Sequence, residues 1–219
     1  MLVKERMTSP VLTISPDVPI QDALARMRQD KVRRYPVLDK HDKLIGIVTD
    51  GDLLNAKPSE ATTLNVWEIN YLLSKITVER VMSSNVITTT EDCPIEEAAR
   101  IMADHEISSL PVMREKSLVG MITETDLFHI LLEMMGARTP GVRLTVEVLN
   151  KRGKLYELAG VIQKLGGDLL GVAAILGSRA ETRIFTLKVD GGITPDALQT
   201  AIKPLVEQII DIRLTDAKK

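Results

Sequence analysis

Aromatic residues are scarce: Phe, Tyr and Trp make up 3% of the 219 residues. So few rings leave no stacking platform of the kind single-stranded nucleic acid needs. Positive charge is not in surplus either, since the formal net charge is −2. A general nucleic-acid binder relies on a basic field, so nucleic acid is not an expected partner. Cys93 is the single cysteine, which excludes an intrachain disulfide and fits a reducing compartment. Long apolar runs are missing too. The most apolar stretch, Val161 to Leu176, is broken by Lys164 and Asp168, which argues against a membrane span. Residues Met1 to Met7 lack the apolar core of a signal peptide. The expectation is a cytoplasmic protein without a membrane partner. Catalytic signatures are also lacking. His105-Glu106 has no second His at zinc-protease spacing, and there is no nucleophile–base pair and no Walker loop. Neither enzymatic activity nor a metal is expected.

What the chain does have is an internal repeat. Gly46-Ile-Val-Thr49-Asp-Gly-Asp52-Leu-Leu54 returns as Gly120-Met-Ile-Thr123-Glu-Thr-Asp126-Leu-Phe128. Upstream, Met7 returns as Met82, Pro19-Ile20 as Pro94-Ile95, Ala23 as Ala98, Met27 as Met102 and Pro36-Val37 as Pro111-Val112. The register is 75 residues until one residue is lost from a loop, and 74 thereafter. A repeat this long is a folding unit. Two similar modules packed together place a ligand site between them.

Each copy reads strand–helix–strand–strand–helix. Val11 to Ile14 is a short β-prone run, and Pro19 suits the first helical position. Ile20, Ala23, Leu24 and Met27 then form one helical stripe. Val32 to Leu38 and Leu44 to Val48 predict two strands, and a helix opens at Thr49. The second copy repeats these parts at Val86 to Thr88, Ile95 to Met102, Ile107 to Met113, Leu118 to Ile122 and Thr123 to Met135. Between the copies, Leu64 to Leu73 reads as a connecting helix anchored by Trp67. After a linker at 136–141 the texture changes. Val142, Leu144, Val146 and Val148 alternate as in a strand. A helix follows with Leu155, Leu158, Ile162 and Leu165, ended by Gly166-Gly167. Strands at Leu169 to Leu176 and Thr182 to Val189 precede a helix opened by Thr194-Pro195 and cut short by Pro204. Ile209 to Leu214 is the last strand. The order βαββαβ is that of a ferredoxin-like unit.

Thr49-x-x-Asp52 and Thr123-x-x-Asp126 precede apolar helices, the pattern of a capping box. A helix start also favours anions, and a carboxylate that accepts two hydrogen bonds suits a ribose diol. Gly46 and Gly120, three residues earlier, permit close approach of backbone.

These motifs resemble the CBS domain. The opening Met, the Pro-Ile helix start, the hydrophobic-Pro-Val strand and Gly-x-x-Thr-x-x-Asp recur in register in both copies. Two in tandem are similar to the pair called a Bateman module. The last third resembles an ACT domain, and the whole, with Trp67 to Ile76, is similar to the acetoin-utilisation AcuB-like group. The implied fold class is α+β: CBS domains at 1–56 and 78–136, a connection at 57–77, and an ACT-like domain at 137–219. The resemblance implies adenine-nucleotide clefts shared between the CBS domains, with the ligand regulatory and no cofactor obligatory. In the family the motif Asp holds the ribose and the motif Thr lies near the phosphate, which carries over to Asp52, Thr49, Asp126 and Thr123. Ile47 and Met121 of the motif strands, with Ala23 and Ala98 of the first helices, belong to the same implied set. The residues before the Pro-Val strand line base or phosphate, implicating Val32, Arg33 and Arg34 in one copy and Ile107, Ser108 and Ser109 in the other. Where many relatives have a Thr before the helix-opening Pro, this chain has Val18 and Cys93.

Arg33 and Arg34 suit phosphate oxygens, whereas two serines bring no charge. The expectation is that the cleft of Thr49 and Asp52 takes the more phosphorylated ligand. The whole reads as a homodimeric regulatory sensor of AMP, ADP, ATP or an S-adenosylmethionine-like ligand, signalling to the ACT part or to a regulated enzyme. The alternatives are a dimerising adaptor and an amino-acid sensor acting through Asn150 and Gly153, where Arg152 replaces the proline common in such relatives.

Overall fold

A computed structural model describes residues 1–56 and 75–216. The connecting helix expected around Trp67 lies outside the described residues. The chain divides into two compact units, Met1–Leu127 and Phe128–Lys219. Among the described residues no helix is long and apolar enough to cross a membrane.

The first unit holds both copies of the repeat. In the first copy α1 (Ile20–Asp30) buries Ile20, Ala23, Leu24 and Met27, the expected stripe. Pro19 stands one position earlier than expected, as the N-cap. Lys31 ends the helix in the left-handed conformation. Strands β1 (Arg34–Leu38) and β2 (Leu44–Thr49) form an antiparallel hairpin, and α2 (Asp50–Asn55) follows. The second copy has a single turn α3 (Val78–Val81), β3 (Thr89–Thr90), α4 (Ile95–Asp104), β4 (Ser109–Arg114), β5 (Ser117–Thr123) and α5 (Glu124–Met134). The first strand of each copy lies later than expected. Ile14 makes only an isolated bridge to Val37, and β3 begins at Thr89 rather than Val86.

The copies exchange their lead-in segments. Residues 76–78 dock on the first copy: the Ile20 N–H donates to the Ile76 carbonyl at 3.0 Å and the Val78 N–H to that of Val18 at 2.9 Å. Residues 1–3 do the same to the second copy, with Ile95 N–H donating to Met1 O at 3.2 Å and Val3 N–H to Cys93 O at 2.9 Å. Further along, Ser83 bridges Ile47 of β2, and Thr8 bridges Met121 of β5. Helices that begin at a proline without a side-chain cap thus have an orphan N–H satisfied by the other copy. Val3 and Val78 are fully buried, and Val78 joins the core of the first copy. The motif glycines receive these segments. A Cβ on Gly46 would collide with the sulfur of Met82, and one on Gly120 with that of Met7. The expected close approach at these glycines is therefore made by methionines of the other copy.

The second unit is a four-stranded antiparallel sheet in the order β7-β8-β6-β9, with strands β6 (Gly141–Leu149), β7 (Asp168–Leu176), β8 (Thr182–Asp190) and β9 (Gln208–Thr215). Two helices, α6 (Lys154–Lys164) and α7 (Pro195–Ile202), complete the βαββαβ order. Leu158, Ile162, Leu198 and Ile202 pack on the buried valines and leucines of β6 and β8. Thr194 caps α7 by accepting from the Ala197 N–H at 3.3 Å, and the helix stops at Ile202 before a 3₁₀ turn that holds Pro204. The alternation of β6 conceals one feature. Glu147, which lies between Val146 and Val148 on the alternate face, is buried as well. One of its oxygens accepts from Ser178 N–H at 2.8 Å, Ser178 Oγ at 2.7 Å and Thr182 Oγ1 at 2.5 Å.

Gly46→Ala should cost about 1–3 kcal/mol in urea unfolding by overpacking. Because the added methyl meets Met82, combining it with Met82→Ala should lose less than the sum of the two single changes. Simple additivity would contradict the contact. The bonds from Ser178 and Thr182 hold the Glu147 carboxyl below the usual glutamate range. A carboxyl lowered in the folded state stabilises above its unfolded pKa and ceases to as pH falls through the folded one. Glu147→Gln should therefore lower the melting temperature at neutral pH, with the difference from wild type shrinking below the ordinary glutamate pKa. A pH-independent difference would count against it.

Candidate ligand clefts

Each Thr-x-x-Asp motif forms a complete capping box. At the start of α2 the Thr49 N–H and Oγ1 both donate to Asp52 Oδ2 at 2.8 Å, and the Asp52 N–H donates back to Thr49 Oγ1 at 3.2 Å. At the start of α5 the same bonds join Thr123 and Asp126 at 2.8, 2.7 and 3.4 Å. The cap consumes one oxygen of each carboxylate. Among the described residues Oδ1 of Asp52 and Oδ1 of Asp126 have no partner. Both carboxylates are half-buried, so a fixed acceptor is presented beside each helix start.

The motifs open onto two clefts. One, of about 300 Å³, brings Ile47, Thr49 and Asp52 together with Val86, Ile87, Glu106, Ile107, Ser108 and Ser109. The other, of about 480 Å³, brings Met121, Thr123 and Glu124 together with Val11, Leu12, Lys31, Val32, Arg33 and Arg34. Each cleft thus takes its Thr motif from one copy and the segment before the Pro-Val strand from the other. Two expectations are corrected. Arg33 does not share a cleft with Thr49; it faces the motif of Thr123, while Arg34 lines both clefts. The hairpins explain the crossing. Arg34 pairs with Thr49, and Ser109 with Thr123, so each pre-strand segment leaves its own motif strand at the interface and reaches the opposite copy. The β-prone runs at Val11 and Val86 are cleft walls rather than ladder strands.

Other expected site residues stand apart. Ala23 and Ala98 are fully buried and line neither cleft. Val18 and Cys93 also lie outside both linings, their backbone carbonyls occupied by the exchanged lead-ins. Asp126 is one hydrogen bond from the lining through Thr123. Sequence reasoning missed Thr8, Ser83, Lys31 and Glu106. The signal was present, since Thr8 matches Ser83 and Lys31 matches Glu106 in the 75-residue register. Burial lowers the Arg34 guanidinium from its ordinary value, against the attraction of Glu124 and Asp50. An arginine so placed remains charged at neutral pH.

The CBS domain model matches residues 3–59 and 78–133. The chain belongs to the CBS-domain family. A CBS domain-containing protein of Dictyostelium discoideum is 32% identical over 136 residues, which is 62% of this chain and 94% of the relative. The protein named acetoin utilization protein AcuB from Vibrio cholerae has a crystal structure with 30% identity and a TM-score of 0.52, covering 64% of this chain and 98% of that one. The CBS domain pair of protein MJ0100, crystallised with 5′-methylthioadenosine and S-adenosyl-L-methionine, is 29% identical with a TM-score of 0.50, covering 60% and 95%. The match to the L-aspartate semialdehyde sulfurtransferase of Methanocaldococcus jannaschii, 30% identical, spans only 23% of that enzyme. CBS pairs are regulatory modules, and enzyme names among such relatives belong to fusions with other domains.

The cap itself is testable without ligand. Thr49→Ala and Thr123→Ala should each cost roughly 1 kcal/mol in urea unfolding. Losses near zero would show that the boxes do not form in solution.

Proposed function

We propose that this CBS pair is a non-catalytic sensor of adenosine-containing ligands, bound in the two clefts between its copies. The observation that carries the reading is the unused Oδ1 of Asp52 and of Asp126, beside an apolar wall supplied by the opposite copy. A ribose diol donates to such an oxygen, and the apolar side chains at Val86, Ile87 and Ile107, or Val11, Leu12 and Val32, receive a flat base. The solved pair with 5′-methylthioadenosine and S-adenosyl-L-methionine supports this ligand class. Ligand binding closes each cleft across two copies and so alters how they pack. Because α5 begins beside Thr123 and its chain continues past the division at Leu127 into the second unit, a change at this cleft is passed along a helix. The second unit carries the ACT-like role, a reading supported by its βαββαβ order and sheet topology. Its apolar edge strand β7, with Ile175 and Leu176 exposed, is suited to pairing with a second copy, giving a homodimer.

A second reading attaches to this unit. A cavity of about 470 Å³ beside Asn150 and Gly153 also meets Arg183, whose buried Nε has no partner among the described residues. An amino-acid carboxylate would satisfy it.

Thermal-shift measurements with adenosine, 5′-methylthioadenosine, S-adenosylmethionine, AMP and ATP separate these readings from an adaptor role. Ligand at a hundred times its dissociation constant should add roughly 2.7 kcal/mol. The stabilisation should be lost in Asp52→Asn or Asp126→Asn, according to the cleft filled. No shift with any adenosine compound would refute the sensor.

A further inference from the structure

The two clefts share a plan but not a charge. Residues 31–34 read Lys-Val-Arg-Arg, and their repeat equivalents 106–109 read Glu-Ile-Ser-Ser. Only the apolar position is kept. The backbone is the same at the reversed position: Lys31 has φ +56° and Glu106 φ +54°. The preceding helices end within one residue of each other in the register, and the anchoring bonds match, since Arg33 O accepts from Asp50 N–H at 2.9 Å and Ser108 O from Glu124 N–H at 3.1 Å. The difference is therefore one of side-chain chemistry at fixed places in a duplicated frame.

Because the segments cross between copies, the cations collect opposite Thr123. That cleft is lined by Lys31, Arg33 and Arg34 against the single carboxylate of Glu124. The cleft of Thr49 is lined by Arg34 against Asp52 and Glu106. Counting Asp126, which bonds Thr123, still leaves the first cleft with more cations than carboxylates. Among the described residues neither Lys31, Arg33 nor Arg34 takes part in an ion pair. Glu124 and Asp50 attract Arg34 without pairing with it, the cations lining the cleft still outnumber its carboxylates, and a polyanion relieves their mutual repulsion while accepting charge-assisted hydrogen bonds.

We propose that the clefts sort adenosine ligands by phosphate: the Thr123 cleft takes those bearing ionised phosphates, and the Thr49 cleft takes phosphate-free ones. This rests on the sensor reading above. The carboxylates of the Thr49 cleft oppose a phosphate, and they favour a ligand that is neutral or carries a cationic tail such as a sulfonium.

Isothermal titration of the full chain with ATP and with 5′-methylthioadenosine tests the proposal. Lys31→Glu combined with Arg33→Ser installs the second copy's residues at two exposed positions. ATP affinity should fall by about tenfold or more, the scale of a lost charge-assisted contact. Affinity for 5′-methylthioadenosine should stay within about twofold, because its cleft lacks both side chains. ATP binding should vanish in Asp126→Asn and survive in Asp52→Asn, and 5′-methylthioadenosine should show the reverse. The melting temperature of each variant without ligand reports whether it is folded. Equal losses for both ligands in the double variant, or ATP binding that depends on Asp52, would overturn the sorting and leave the sensor standing. Failure of the wild-type protein to bind these or any of the adenosine compounds above would overturn the sensor reading itself.

Discussion

Residues 76–83 close the first module of the pair, and residues 1–8 close the second. Neither module completes its own helix start or fills the space beside its own motif glycine. The Ile20 and Ile95 amides, which would be orphans at proline-opened helices, are satisfied across the interface. Val78 sits in the first module's core, and Met82 and Met7 fill the notches at Gly46 and Gly120. This exchange draws the two copies into one compact unit. It also brings Ser83 beside Ile47 and Thr8 beside Met121, so the lead-ins form part of the cleft walls.

The capping boxes serve two ends without conflict. A carboxylate has two oxygens, and the helix start needs only one of them. Oδ2 of Asp52 and of Asp126 holds the Thr backbone and hydroxyl, which fixes the side chain, and Oδ1 is left as a positioned acceptor. Thr and Asp at this spacing are thus local structure and, in the proposed reading, the polar part of a site. Preorganisation of this kind lowers the entropy cost of holding a ligand.

Much of the fold was legible because it rests on local rules. The stripe of Ile20, Ala23, Leu24 and Met27 is buried as its period demands, Thr194-Pro195 opens a helix, and Pro204 ends one. The repeat register made two related modules plain. What it could not carry was the pairing between copies, because similarity in register is silent about which copy a lead-in packs on. Arg33 was therefore assigned to the cleft of its own motif, whereas the hairpin hands it to the other. Ala23 and Ala98 show the same limit, since a small residue on a helix stripe looks alike whether it faces a ligand or the core. Glu147 was hidden for another reason. Its three donors come from the β7–β8 turn and the first residue of β8, more than thirty positions away in the chain, and period alone does not register them.

Each cleft is composite, its Thr-x-x-Asp motif from one copy and its wall from the other. A crystal structure of the protein with 5′-methylthioadenosine would show whether a ligand spans both copies. The account predicts one ligand molecule whose ribose meets Asp52 and whose base lies against Val86, Ile87 and Ile107. A ligand held by Asp52 together with Val32 and Arg33 of the same copy, or bound away from both motifs, would contradict it.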